Sequence, residues 1–374
     1  VTLKPYGVPV ERLHGGAPIL QPTQNAWESG VTFNTAAVYL ERSEANDPIL
    51  KQLLAREDLD APEMREGVVA LHYRARPKTD PGYRWNRSFV GLALFTPTLQ
   101  LIKRYSDPIL APGAHPEDPD YLGVEDPRIT RIGAAFYAVY CGVSGAAAEG
   151  DWKAANCLAS SCDLLHWTKH GALPGNINAA NNKDGVLFPE PIQGSYFLLH
   201  RPMIGSVSDF SIHIARSDSP LGVWEDCGAV LSSRPDAQCR ESWVGAGSVP
   251  IPLGGTRYLV IYHTGNVLLS GEREYDLDAA IFDFARFSPT NPTALVEKRL
   301  DRLMVPETKY EIAAPYSDSV ANVLFTCGSY EYNGDIIIVY GGGDTYIMAA
   351  RVRKQTLLGY LERSDSPVQV ASHS

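Results

Sequence analysis

One apolar segment with a small residue at its centre recurs five times, and that recurrence restricts the fold more than any other feature. The copies are Phe89–Ala93, Asn156–Ala159, Ile212–Ala215, Asp278–Ala280 and Ile347–Ala349, and the spacings between their last alanines are 66, 56, 65 and 69 residues. Each copy follows a β-rich, aromatic segment: Val68–Arg74, Phe136–Cys141, Tyr196–Arg201, Tyr258–His263 and Ile336–Tyr340. Ahead of those lies a third segment: Val31–Leu40, Val124–Ile132, Asp184–Ile192, Val244–Ile251 and Ser319–Tyr330. Several copies close on a fourth, polar or Trp-bearing segment, such as Leu164–Trp167 and Leu221–Trp224. Five copies of a three- to four-strand unit of roughly 40–70 residues predict an all-β, five-bladed β-propeller. An irregular β-sandwich is the competing fold. Pro48–Met64, with Ile49, Leu50, Leu53 and Leu54 at helical spacing, reads as a short helical insertion in the first blade. The expected division is one domain, with residues 27–355 as the propeller, 1–26 as an N-terminal arm and 356–374 as a tail.

Composition narrows the partners. The chain of 374 residues carries a net charge of −10 and no block of Lys and Arg, so nucleic acid and anionic membrane surfaces are poor partners. No apolar run reaches the roughly 18 residues of a membrane span. No signal peptide is visible, which points to the cytoplasm, or to the periplasm if a leader preceded Val1. The six cysteines are scattered without metal-ligand spacing and read as free, mostly buried thiols, and no cofactor is expected.

In a propeller the first strand of each blade lies nearest the axis. Asn34, Asp126, Asp184, the Glu241–Gly247 region and Asn322 are thereby placed around one channel mouth. Gly123-Val-Glu-Asp-Pro-Arg-Ile-Thr130 is the most chemically loaded of these strands. Strict alternation sends Glu125 and Asp126 to opposite faces, so only one of them would share a face with a given site. The other is free to hold the strand or to pair with Arg128. Taken alone, such a stretch is as readily a surface turn with a local ion pair.

Eight stretches in order resemble glycoside hydrolase family 130, the β-mannoside phosphorylases and β-mannosidases. They are Tyr73-Arg-Ala75, Gly123–Ile129, Asn182–Glu190, His200-Arg-Pro202, Gly245-Ala-Gly247, Tyr262-His263, Asn322–Gly328 and Gly342-Gly-Asp344. The resemblance spans roughly residues 30 to 350. It implies a five-bladed propeller, a metal-independent inverting mechanism and a mannose-containing oligosaccharide as substrate. It also implies that Asp126 is the general acid, protonating the leaving oxygen through a mannose hydroxyl. A carboxyl group in a partly dry channel near other carboxylates is expected to hold that proton near neutrality. Lys183, Asp184 and Asp344 look like the family's sugar clamp, since a carboxylate accepts two vicinal hydroxyls at once. Asn34, Arg74, Arg87, His200 and Asn322 are their candidate companions. Arg201 reads as a structural partner of Asp184 or Glu190. Trp85, Tyr330 and Tyr346 are aromatics that either stack on sugar or pack between blades.

The choice of nucleophile is the open chemical question. A phosphorylase must hold a phosphate dianion with several cations. Where the family's phosphorylases carry an arginine and a lysine, this chain has Ala154-Ala155 and Pro191, although His263 is kept. A hydrolase needs a carboxylate base about 6.5–9.5 Å from the acid, with a water between them. Glu241, with Glu274 or Glu272, is the natural assignment. The sequence therefore favours an inverting exo-β-mannosidase, with β-1,2 linkage. One alternative is a phosphorylase using Lys153, Arg240 and His263; another is a non-catalytic sugar-binding propeller. A homo-oligomer is compatible with the arm.

Overall fold

The computed structural model describes residues 3–83, 86–145, 152–234 and 236–364. It is a five-bladed propeller of antiparallel sheets. Blade one comprises strands Val31–Glu41, Gly67–Arg76, Phe89–Phe95 and Leu101–Arg104, and blade two Gly123–Ile132, Ala135–Ser144, Lys153–Ser161 and Thr168–Ala172. Blade three is Asn182–Leu187, Tyr196–Pro202, Ile212–Ser217 and Glu225–Leu231. Blade four is Cys239–Ala246, Arg257–Leu268, Arg273–Asp283 and Val296–Met304, with the short Ile251–Gly254 pairing on its second strand. Blade five has Leu324–Tyr332, Asp335–Gly342 and Tyr346–Arg353. Its outermost strand is Glu11–Arg12, which pairs with Arg351 and Ala350. The segment expected to be an arm outside the repeat thus closes the ring.

The small residues of the repeat lie on third strands, where Ala93, Ala159, Ala215, Ala280 and Ala349 are buried. Short side chains there let neighbouring sheets approach. Apolar clusters then fill the interfaces between blades: Leu92 with Tyr140 between one and two, Leu158 with Leu198 between two and three, Leu199 with Val260 between three and four. Ile281 with Ile338 and Val339 with Leu71 complete the circle. Leu50 and Leu53 of the predicted insertion, a helix over Asp47–Leu53 started by Pro48, are fully buried against the first interface. Full burial of each such side chain contributes about 1.5–3 kcal/mol. Past the last blade, Lys354–Arg363 forms a helix whose Leu357 and Leu361 seal the fourth interface, within what the sequence marks as tail. Tyr330 packs between blades five and one, its hydroxyl donating to Pro97 O at 2.7 Å. All six cysteines are free thiols.

Every innermost strand carries a register shift against its neighbour, between Phe33 and Thr35, Glu125 and Arg128, Lys183 and Val186, Cys239 and Glu241, and Thr326 and Gly328. In blades one to three the shift contains a left-handed residue, Asn34 (φ 44°), Asp126 (φ 51°) and Asp184 (φ 59°). Asn and Asp tolerate that conformation better than other side chains bearing a Cβ. Each bulge re-aims a polar side chain into the channel.

Candidate active site

The bulge at Asp126 overturns the expectation from strict alternation: Glu125 and Asp126 reach the same arginine. Arg74 on the adjacent blade donates Nη1 to Asp126 Oδ1 at 3.0 Å and Nη2 to Glu125 Oε1, while its Nε donates to Ser88 Oγ at 2.9 Å. Asn34 Nδ2 donates to the same Asp126 oxygen at 2.9 Å, and Lys183 Nζ lies 3.2 Å from Glu125 Oε2. Phe33 lies beneath the Arg74 guanidinium, 4.7 Å from ring centroid to Cζ.

This arrangement also reverses the expected protonation of Asp126. Burial alone raises a carboxyl pKa, but Arg74, Arg128, Lys183 and the Asn34 amide outweigh it and hold Asp126 well below the ordinary carboxylate range. Asp126 is therefore ionised at neutral pH. The carboxyl beside Arg74 whose pKa is raised is Asp344: burial lifts it to about 7, against the pull of Arg74 and with the help of Asp126.

A second group surrounds Asp184. Arg128, fully buried, donates Nη2 to Asp184 Oδ1 at 3.2 Å and to Ala246 O at 2.9 Å, Nε to Gly247 O at 3.1 Å, and Nη1 to Asp126 O at 3.1 Å. It is the strut between blades two, three and four. Arg201 Nε lies 3.1 Å from Asp184 Oδ2, and His263 Nε2 3.6 Å from the same oxygen. The sequence reading of Arg201 as a partner of Asp184 agrees with this geometry; Glu190 instead accepts from the Tyr258 hydroxyl. Burial, opposed by Arg201, Arg128 and His263, leaves Asp184 ionised with a lowered pKa. Burial, opposed by Asp184, lowers His263 to about 3, so its ring is neutral. Arg201 Nε and both ring nitrogens of His263 are buried without a hydrogen-bond partner. The Gly245 motif follows from this crowding: a Cβ there would stand 2.3 Å from Asp184 Oδ2 and 2.5 Å from His263 Nε2.

Other candidates are placed differently. Glu241 is exposed on the innermost strand of blade four, opposite Val267, and Arg240 beside it is exposed too. Glu272 lies in an exposed turn where its Oε2 accepts from Ser270 Oγ. Glu274 is buried, but its Oε1 accepts the Leu3 backbone N–H at 2.8 Å. Its neighbour Tyr275 is the residue of this strand that meets the channel, with ring centroids 6.0 Å from His263 and 5.4 Å from Trp243. The sequence reading missed Tyr275 by one position; alternation from His263 on the paired strand was the available signal.

His200 is also outside the channel group. It is buried within blade three, where Asn182 Nδ2 donates to its Nδ1 at 2.9 Å and its Nε2 faces Asp226 at 3.4 Å, with His213 on the other side of that carboxylate. These three could in principle hold a metal ion. The Asn182 amide also donates to Ile177 O, which leaves the His200 proton on Nε2, facing Asp226, whose carboxylate is hydrogen-bonded to His213 Nδ1. Arg87 pairs with Asp80 at 2.7 Å and lies over the Tyr83 ring at 3.5 Å, beside Ser88. Asn322 (φ 59°) accepts the Tyr275 N–H through its carbonyl at 2.9 Å. Lys153 is exposed, Tyr346 packs on Tyr310, and Trp85 lies outside the described residues.

Comparison with known proteins gives a consistent family. A family model described as beta-1,4-mannooligosaccharide phosphorylase matches residues 86–363. A 1,2-beta-oligomannan phosphorylase of Thermoanaerobacter sp. (strain X514) is 29% identical over 338 residues, covering 89% of this chain and 94% of its own. A beta-1,2-mannobiose phosphorylase from the same strain is 29% identical over 348 residues, covering 90% and 95%. Among solved structures, the beta-1,2-mannobiose phosphorylase of Listeria innocua in complex with beta-1,2-mannobiose superposes with a TM-score of 0.69 at 22% identity, covering 94% of this chain and 99% of that one.

Proposed function

The chain belongs to glycoside hydrolase family 130, whose enzymes act on mannosides, and from that premise we propose that it is a β-mannoside phosphorylase acting on β-1,2 linkages. It releases α-mannose 1-phosphate. This reverses the preference drawn from sequence for hydrolysis. The observation that carries it is the group beside Asp184, where both ring nitrogens of His263 are buried without a hydrogen-bond partner and Arg201 Nε meets only Asp184 Oδ2. Such polar atoms are costly to bury unless a ligand satisfies them. Phosphate offers the matching acceptors, and Tyr275 borders the same space. The phosphorylases named above, similar over nearly the whole chain, support the same reading.

In this reaction a phosphate oxygen bonds to the anomeric carbon from one face while the glycosidic C–O bond breaks on the other. The leaving oxygen takes a proton from Asp126, relayed through a mannose hydroxyl. Arg74 and Arg128 hold Asp126 as a carboxylate, so it must acquire that proton as phosphate and mannoside bind. Bound phosphate supplies the drive, since added negative charge in a low-dielectric channel raises a neighbouring carboxyl pKa. Asp344 and Lys183 are assigned to the mannose hydroxyls, and Arg74 and Asn34 to the orientation of Asp126.

Hydrolysis keeps one point in its favour: Ala154-Ala155 and Pro191 stand where cations are expected in the family's phosphorylases. Incubation with β-1,2-mannobiose, with and without inorganic phosphate, followed by NMR, separates the two. α-Mannose 1-phosphate formed only with phosphate is the expected product. Release of α-mannose at the same rate without phosphate would overturn the proposal. Arg201→Ala is expected to raise the phosphate KM by about tenfold or more, with a smaller effect on the mannoside KM.

A further inference from the structure

Blade four carries three carboxylates on one face of its third strand, at alternate positions: Glu274, Asp276 and Asp278. Each is no more than 1% exposed. Among the described residues none of the three is ion-paired to Lys or Arg. The nearby cations are used by other carboxylates, Arg302 by Asp236 at 3.0 Å and Arg299 by Asp301 at 2.6 Å. The partners of the row are neutral: Leu3 N–H to Glu274, Asn266 Nδ2 to Asp276 Oδ2 at 3.1 Å, and Thr264 Oγ1 with the Arg302 N–H to Asp278. Asp276 Oδ1 is buried and accepts no hydrogen bond from a donor outside the row; Glu274 is its neighbour within it.

Three adjacent buried carboxylates with no Lys or Arg ion pair among the described residues cannot all be ionised. Their ligand atoms do not gather closely enough to form a metal cluster among the described residues. Protons are what remain. The opposite face of this strand presents Tyr275 to His263 and Trp243.

We propose that the Glu274–Asp276–Asp278 row, closed by the Leu3 amide, is a proton-sharing positioning device that sets Tyr275 on the nucleophile side of the channel. The step from Tyr275 to phosphate rests on the function proposed above; the coupling of the row to Tyr275 does not.

The groups facing the row are Thr264 and Asn266 on the second strand, Cys239 and Ser242 on the first, and Arg299, Asp301 and Arg302 on the fourth. Asp236 stands in the adjoining loop and Leu3 in the N-terminal segment. Burial raises all three carboxyls; Asp278 and Glu274 raise Asp276 further, and Asp301 adds to Asp278, which lies at about 7. A raised carboxyl contributes stability that is complete at acid pH and lost as pH climbs through its folded value. The row therefore loosens above about pH 7.

Trp243 gives a readout independent of activity. In the wild type, the near-UV circular dichroism of the Trp243–Tyr275 pair is expected to titrate between pH 6 and 9. Asp276→Asn and Asp278→Asn, which mimic the protonated row, are expected to hold the neutral-pH signal and a flat Tm over that range. A wild-type signal flat from pH 6 to 9, or a titration unchanged in both Asn variants, would overturn the proposal. In phosphorolysis, Glu274→Ala is expected to raise the phosphate KM by about tenfold while Glu274→Gln, which keeps the acceptor for Leu3, restores it. If turnover needs no phosphate, the proposed reaction fails while the spectroscopic arms still decide the positioning role.

Discussion

Asp126 and Asp344 divide between them what one acidic group was expected to do. Arg74 and Arg128 hold Asp126 ionised, and burial holds a proton on Asp344. Asp126→Asn removes the proton carrier but keeps a group that Asn34 and Arg74 can contact. Turnover is expected to fall by about 10²–10⁴-fold with little change in Tm, checked by initial rates and differential scanning calorimetry. Asp344 has a raised pKa, so it is neutral below about pH 7 and ionised above it. An ionised carboxylate accepts hydroxyls better than a neutral one. The mannoside KM is therefore expected to fall as pH rises through about 7, and Asp344→Asn to abolish that dependence in a KM–pH profile. Residues of the channel were legible in the sequence because their motifs occur in family order. Their charge states were not, because these depend on which cations the blades bring together; Arg74 comes from one blade and Asp126 from the next.

Strand alternation, taken element by element, succeeds outside the bulges and fails inside them. It separates Glu125 from Asp126 on paper, whereas the register shift between Glu125 and Arg128 brings both to Arg74. It works on the regular third strand of blade four, where Tyr275 and Glu274 take opposite faces and Tyr275, which the sequence reading did not name, is the one beside His263. Nothing in residues 272–274 (Glu-Arg-Glu) signals that Leu3, 271 positions away, binds Glu274. The glycine of the innermost strand in blade four gives a direct test of crowding. Gly245→Ala would push a methyl group into Asp184 and His263. Phosphate binding by isothermal calorimetry is expected to weaken by about tenfold or more, and the variant to be destabilised by about 1–3 kcal/mol in urea unfolding.

At the scale of the whole molecule, the number of blades was readable from the alanine spacing, and ring closure was not. Two residues, Glu11 and Arg12, are too few to show a strand period. Arg12 nevertheless ties the closing strand to the loop before blade five, donating Nε to Glu311 at 2.8 Å, Nη1 to Glu307 at 2.6 Å and Nη2 to Val305 O at 2.7 Å. Glu311 is fully buried, so Arg12→Ala leaves a carboxylate without its cation. A loss of about 3 kcal/mol is expected, measured by urea denaturation.

The closing strand also fixes an order of events during synthesis. Glu11 leaves the ribosome early, yet Arg351, its ion-pair partner, follows 340 residues later. At roughly 5–20 residues per second, the first strand waits unpaired for tens of seconds while four blades are made. The edge of blade five then stays open until Glu11–Arg12 pairs with Ala350 and Arg351, a long-range contact of the kind that slows folding. The nascent chain is therefore most exposed to misassociation at its last blade, and a chaperone that shields a sheet edge would act there.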